Sequence, residues 1–154
     1  MIRLIKISAA LLVLASVVAC SSGPQPMRVA KSSYKSSPAE FENALALMKS
    51  GDAHGATQAF LKLSETYPRS TGPLTNLGII AARQQQYDAA AKYFLAALQR
   101  DSKNVIALNW MGFVTSKNGA FNGALAWYNK ALAARSDYAP THLNIGILYE
   151  TVLK

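Results

Sequence analysis

Few residues in this chain are equipped for covalent chemistry: two histidines, one cysteine and 8 carboxylates against 16 Lys and Arg in 154 residues. His54 stands two places after Asp52, a spacing that suits a turn and a helix cap better than a catalytic dyad. His142 has no carboxylate-rich surroundings that would make it a metal ligand. No serine sits in the glycine pattern of a nucleophile elbow, and there is no glycine-rich phosphate loop. One cysteine excludes an internal disulfide framework, and with two scattered histidines it excludes a cysteine-built zinc cage. These residues predict a non-enzyme, with neither metal nor cofactor.

The formal charge of +8 is unevenly spread. Arg3 and Lys6 open the chain, and Arg28, Lys31 and Lys35 lie in a Ser/Pro-rich stretch. From Ala39 onward 11 basic residues face 8 acidic ones, an excess of only three. A nucleic-acid binder concentrates its cations on the folded face that tracks phosphate. Here the excess of positive charge sits mostly in the leader and the Ser/Pro-rich stretch, so no nucleic-acid partner is expected.

The single cysteine gains a meaning from its place. Residues 1–20 read MIRLIKISAALLVLASVVAC, two cations, an apolar run from Ile7 to Val18, then Ala19 and Cys20. That order describes a secretory signal peptide. The run is short for a spanning helix, which needs about 20 residues, and a signal anchor is the alternative. Val17-Val18-Ala19-Cys20 resembles the lipobox of bacterial lipoproteins, which implies that residues 1–19 are removed and Cys20 carries the lipid, palmitate included. Ser21 resembles the sorting position that lets such proteins proceed to the outer membrane, facing the periplasm. Residues 20–37 then form a flexible tether rich in Ser and Pro. At about 3.3 Å per residue it spans up to ~60 Å.

Residues 38–154 repeat at a constant offset of 34 positions, a signature of stacked units. Leu74-Thr75-Asn76-Leu77-Gly78 aligns with Leu108-Asn109-Trp110-Met111-Gly112 and then with His142-Leu143-Asn144-Ile145-Gly146. Tyr87, Ala90, Phe94 and Ala97 align with Phe121, Ala124, Tyr128 and Ala131, and one unit earlier with Ala53, Ala56, Phe60 and Leu63. Apolar residues recur every three or four positions, which is helical periodicity. Caps and breakers predict helices over about 38–50, 53–66, 72–85, 87–100, 105–118, 121–134 and 140–153. The spacings resemble the tetratricopeptide repeat. The resemblance implies an all-α helical solenoid of about seven antiparallel-paired helices in a right-handed superhelix, three full repeats plus the first helix of a fourth. Ala44 stands where the first glycine is expected, and Ser102 and Ser136 replace the closing proline represented by Pro68.

In that family the exposed stripe of each first helix binds extended peptides or partner helices. Mapped here, the stripe holds Phe41, Leu45 and Lys49, then Thr75, Asn76, Ile79 and Arg83, then Asn109, Trp110, Phe113 and Lys117, then Leu143, Asn144 and Ile147. Lys49, Arg83 and Lys117 should form a basic row beside an apolar row of Phe41, Leu45, Ile79, Phe113, Leu143 and Ile147. A cation ending each first helix also offsets the helix dipole, and the asparagines can serve the backbone alone. Only Asn76 matches the carboxylate clamp of chaperone-binding arrays; Phe41, Leu45, Ile106 and Trp110 occupy the other clamp places. Recognition of a chaperone C-terminus is therefore disfavoured. His142, at a position usually apolar, is expected to be partly buried as packing.

The resemblance to tetratricopeptide lipoproteins implies a membrane-tethered scaffold or adaptor for an envelope assembly, of the pilotin or peptidoglycan-enzyme adaptor kind. The alternative is a glycan-binding accessory in which Trp110, Trp127 and Tyr138 stack on sugars. At the C-terminal end, Ile145, Leu148, Tyr149 and Val152 follow the pattern of a buried stripe, with no second helix to cover it. Either a homodimer, a partner protein or a missing piece of chain is expected to account for that face.

Overall fold

Local chemistry sets the helix boundaries. In this computed structural model the described residues are 38–152, and they lie in the compact unit Tyr34–Lys154. Seven helices and no strands occur among them: α1 (Pro38–Ser50), α2 (Ala53–Thr66), α3 (Gly72–Arg83), α4 (Tyr87–Arg100), α5 (Val105–Lys117), α6 (Phe121–Ala134) and α7 (Ala139–Val152). The signal peptide, Cys20 and the tether lie outside the described residues.

Asp52 begins α2 by accepting the Gly55 amide at 2.8 Å, so its proximity to His54 is capping. Asn104 begins α5 in the same way, accepting from Ala107 at 3.1 Å. The second helices all end at one register. The amides of Tyr67, Asp101 and Arg135 bond back to the carbonyls of Leu63, Ala97 and Ala131 as the chain turns toward extended backbone. Ser102 and Ser136 follow this turn as well as Pro68 does, since the cap needs a backbone amide one residue earlier and not a ring.

The turn inside each pair also repeats. Gly51 and Gly119 adopt left-handed backbone, φ +87° and +77°, and Gln85 does so between them in sequence at φ +61°. The expected extension of the third helix to residue 85 therefore fails. Gln85 reverses the chain, and the helix stops at Arg83. A side chain in this region costs roughly 1–2 kcal/mol relative to glycine.

Each hairpin closes on one device. Phe60, Phe94 and Tyr128 on the second helices are almost wholly buried, each flanked by a fully buried alanine four positions earlier, Ala56, Ala90 and Ala124. On α3, a β-carbon added to Gly78 would lie 2.5 Å from the Phe94 ring, and one on Gly112 would strike Tyr128 in the same manner. Glycine is a notch that lets the ring lie against the facing backbone. Burying such a ring stabilises by about 1.5–3 kcal/mol. In the first pair Ala44 holds the glycine's place and is fully buried in the same cluster as Phe60.

Pairs α1/α2, α3/α4 and α5/α6 stack in order, and first helices also touch across pairs, α3 with α5 and α5 with α7. Every buried hydrophobic among the described residues lies between Ala44 and Leu148, all within the unit 34–154. No helix among the described residues is long and apolar enough to cross a membrane.

Candidate peptide-binding groove

The expected apolar row divides into a packed part and an open part. Phe41, Leu45, Ile79, Trp110 and Phe113 are half-buried and rest on the main core. Phe41 meets Phe60 edge-on at 5.6 Å, Trp110 stacks on Phe94 at 6.1 Å, and Phe113 meets Trp110 edge-on at 5.2 Å. Leu143 and Ile147 are different: 65% and 50% exposed. The stripe is thus not uniformly exposed, because each pair stacks its first helix against the next. Only α7 lacks such cover among the described residues.

The asparagines are largely committed within the protein. Asn76 donates to the Gly72 carbonyl at 3.0 Å. Asn109 is buried, and its side-chain oxygen accepts from Thr141 at 2.9 Å and Asn144 at 3.0 Å, joining α5 to α7. Asn109 was expected on the exposed stripe; instead α7 covers it. Thr141, fully buried, is the residue that sequence reasoning missed. A polar residue facing Asn109 one pair later was its only signal. Thr75, at the same register, is likewise buried and accepts from Asn104 at 3.3 Å.

What remains open is a trough between α5 and α7. One end, a cavity of about 340 Å³, is lined by Asn109, Trp110, Phe113, Tyr138, Pro140 and Asn144. The other, about 330 Å³, adds Lys117, Tyr128, Ile147 and Leu148 and shares Phe113 and Asn144. The Lys117 ammonium lies 5.3 Å from the Phe113 ring centroid, an attraction that holds a cation at an aromatic wall. Lys49, Arg83 and Lys117 are exposed, each in the last turn of its first helix, where they also offset the dipole. Tyr128 is held above its ordinary pKa by burial, with a hydrogen bond to Ser116 acting the other way.

The three ring residues considered for sugar stacking are not brought together. Trp110 and Tyr138 line the trough. Trp127 lines a separate cavity between α4, α5 and α6, and its ring is covered by the Lys130 ammonium at 4.3 Å. His142 is exposed, contrary to the packing role expected for it, and its Nε2 donates to the Ser136 carbonyl at 2.7 Å. Its counterparts Leu74 and Leu108 are buried because a second helix lies over them. The C-terminal stripe also divides. Leu148 is buried on Ala124 and Tyr128 with Ile145 beside it, so these two hold α7 to α6, whereas Tyr149 and Val152 face outward. No cluster of three or more metal-ligating side chains occurs among the described residues.

Among curated proteins, none matches the chain. Solved structures do. The tetratricopeptide domain of Arabidopsis OM64 superposes with a TM-score of 0.69 at 16% identity, covering 74% of this chain and 94% of that one. The first such domain of Spaghetti (RPAP3), bound to the HSP90 peptide SRMEEVD, gives 0.69 at 14% identity over 75% and 92%. The Sgt2 domain of Aspergillus fumigatus gives 0.68 at 16% identity over 74% and 77%. At these identities the likeness is one of fold alone. The Tetratricopeptide repeat family profile matches residues 41–105 and again 75–139. With both the repeat register and the stacked hairpins in place, the chain belongs to the tetratricopeptide repeat family.

Proposed function

We propose that this protein is a lipid-tethered docking module of the bacterial envelope, anchored through Cys20 on the periplasmic side of the outer membrane. Its α5/α7 trough takes a segment of another envelope protein. The observation that carries the binding half is the trough itself, with Trp110, Phe113 and Ile147 as apolar walls and Lys117 as a cation beside Phe113. Such a site suits a peptide with an aliphatic or aromatic anchor and a nearby acidic residue. The peptide bound by the Spaghetti neighbour is acidic too, but the clamp places here are held by Phe41, Leu45, Ile106 and Trp110. An apolar anchor is therefore favoured over a terminal carboxylate. The tether half is supported by the order of leader, lipobox-like residues and Ser/Pro-rich stretch.

Selection from a displayed peptide library on the unit 34–154 tests the trough. Enriched peptides should pair a large apolar residue with Asp or Glu, and Lys117→Glu should weaken them at least tenfold and flatten their salt dependence. Absence of a consensus, or binding unchanged in Lys117→Glu, refutes the site. Fatty-acid labelling tests the anchor: Cys20→Ala should abolish incorporation, and label that persists refutes it.

A further inference from the structure

Away from the trough, a cavity of about 480 Å³ is enclosed by α4, the start of α5 and α6, and it shares no lining residue with the trough. Its apolar wall is Leu95, Leu98, Leu108 and Trp127. Its polar edge is Gln99, Ser102 and Lys130. The repeat supplies its own comparison, because the same register occurs once before. There the wall positions hold Leu61, Ser64, Leu74 and Tyr93, and the edge positions hold Glu65, Pro68 and Ala96.

The leucines at two places are kept, and the other changes run in one direction. Leu98 in place of Ser64 and Trp127 in place of Tyr93 make the wall more apolar. Gln99 in place of Glu65 and Lys130 in place of Ala96 turn one negative charge into one positive. Ser102 in place of Pro68 adds a hydroxyl donor. Packing asks for none of the changes along the edge, since Gln99, Ser102 and Lys130 are all exposed.

The cation is held where it can be used. The Lys130 ammonium lies 4.3 Å from the Trp127 ring centroid, an attraction that fixes a flexible side chain at the rim. No acidic side chain lines the cavity, and Asp101, just before Ser102, turns its carboxylate to the Lys103 amide at 2.9 Å. Leu95 is 43% exposed, and covering such surface is favourable in proportion to its area. With the ammonium over the indole, the wall left to a ligand is mainly aliphatic. The volume lies within the roughly 300–1,000 Å³ of small-molecule sites.

We infer that this cavity binds a small amphipathic carboxylate of the fatty-acid kind. Its chain lies along Leu95, Leu98 and Leu108, and its head meets Lys130, with Gln99 and Ser102 as further donors. The site is independent of the trough, so either reading can fail without the other.

Octanoate titrated into the whole chain tests this, with Trp110→Phe leaving Trp127 as the single reporting indole. Its fluorescence should change saturably, with half-saturation below about 1 mM, a range open to so small a ligand. Lys130→Ala and Leu95→Gln, both at exposed positions, should each weaken binding at least threefold, and added salt should weaken it too. Octan-1-ol and octylammonium should bind at least threefold more weakly than octanoate. Lys117→Glu should leave octanoate binding unchanged. A titration that does not saturate, octylammonium binding as tightly as octanoate, or indifference to both Lys130→Ala and Leu95→Gln overturns the inference. Binding lost in Lys117→Glu but kept in Lys130→Ala overturns it as well, placing the carboxylate in the trough.

Discussion

Gly78→Ala separates the two things a helical glycine does. In a helix interior alanine is favoured over glycine by about 1 kcal/mol, so on propensity alone the substitution stabilises. Against this, the new β-carbon would lie 2.5 Å from Cε1 of Phe94, and ordinary contact begins near 3.4 Å. The ring must retreat by nearly 1 Å, and it is fully buried between Ala90 and Ala97, also fully buried. Overpacking of this kind costs about 1–3 kcal/mol, and a rigid ring pinned on both sides belongs at the upper end. The expected net loss is about 1–2 kcal/mol, a fall of roughly 4–8 °C in thermal midpoint for an array of this size. Gly112→Ala should behave alike against Tyr128. Gly146→Ala, where the added carbon meets nothing within 4 Å, should instead gain up to about 1 kcal/mol. Denaturant melts followed by circular dichroism read all three. If Gly78→Ala stabilises as Gly146→Ala does, the ring-in-notch account of these hairpins is wrong.

Gln85→Gly relieves the left-handed backbone between α3 and α4 and should stabilise by up to about 1 kcal/mol, read as a higher denaturation midpoint. Thr141→Val strands one of the two bonds to buried Asn109 and should cost about 1–3 kcal/mol, with amide exchange accelerated first in α7. Asp52→Ala removes the cap of α2, at about 1 kcal/mol in a chemical melt. Tyr128 gives an alkaline signature. Its phenol is raised in the folded state, so stability is full below the unfolded-state pKa of about 10 and is lost as pH rises toward the folded value. Tyr128→Phe should make the melting profile above about pH 10 less steep, and an unchanged profile would count against burial as the cause.

The helices and their pairing were legible because the repeat states each element three times. Ala90, Phe94 and Ala97 are ambiguous alone, but their recurrence at Ala124, Tyr128 and Ala131 makes the period plain. The groove was less legible, for a physical reason. Whether a first-helix residue faces water depends on the next pair, so Asn109 and Leu143 share a register and differ entirely in exposure. Periodicity assigns a face to a residue but not the neighbour that will cover it. The end of α3 is not legible in the sequence, because Gln85 carries no glycine signal for the turn it makes. Nor is the exposure of His142, because its register is buried only where a second helix lies over it.

The ring that closes each hairpin stands sixteen residues after its glycine, whether at Phe94 or at Tyr128. Contacts this local cost little loop-closure entropy and give a low contact order. Each hairpin can therefore form within its own stretch of chain, before the rest is present, and serve as a template for the next. Folding should accordingly be rapid and able to begin at any pair. Unfolding should run inward from the ends, with α7 opening before α3 and α4, the pair enclosed on both sides.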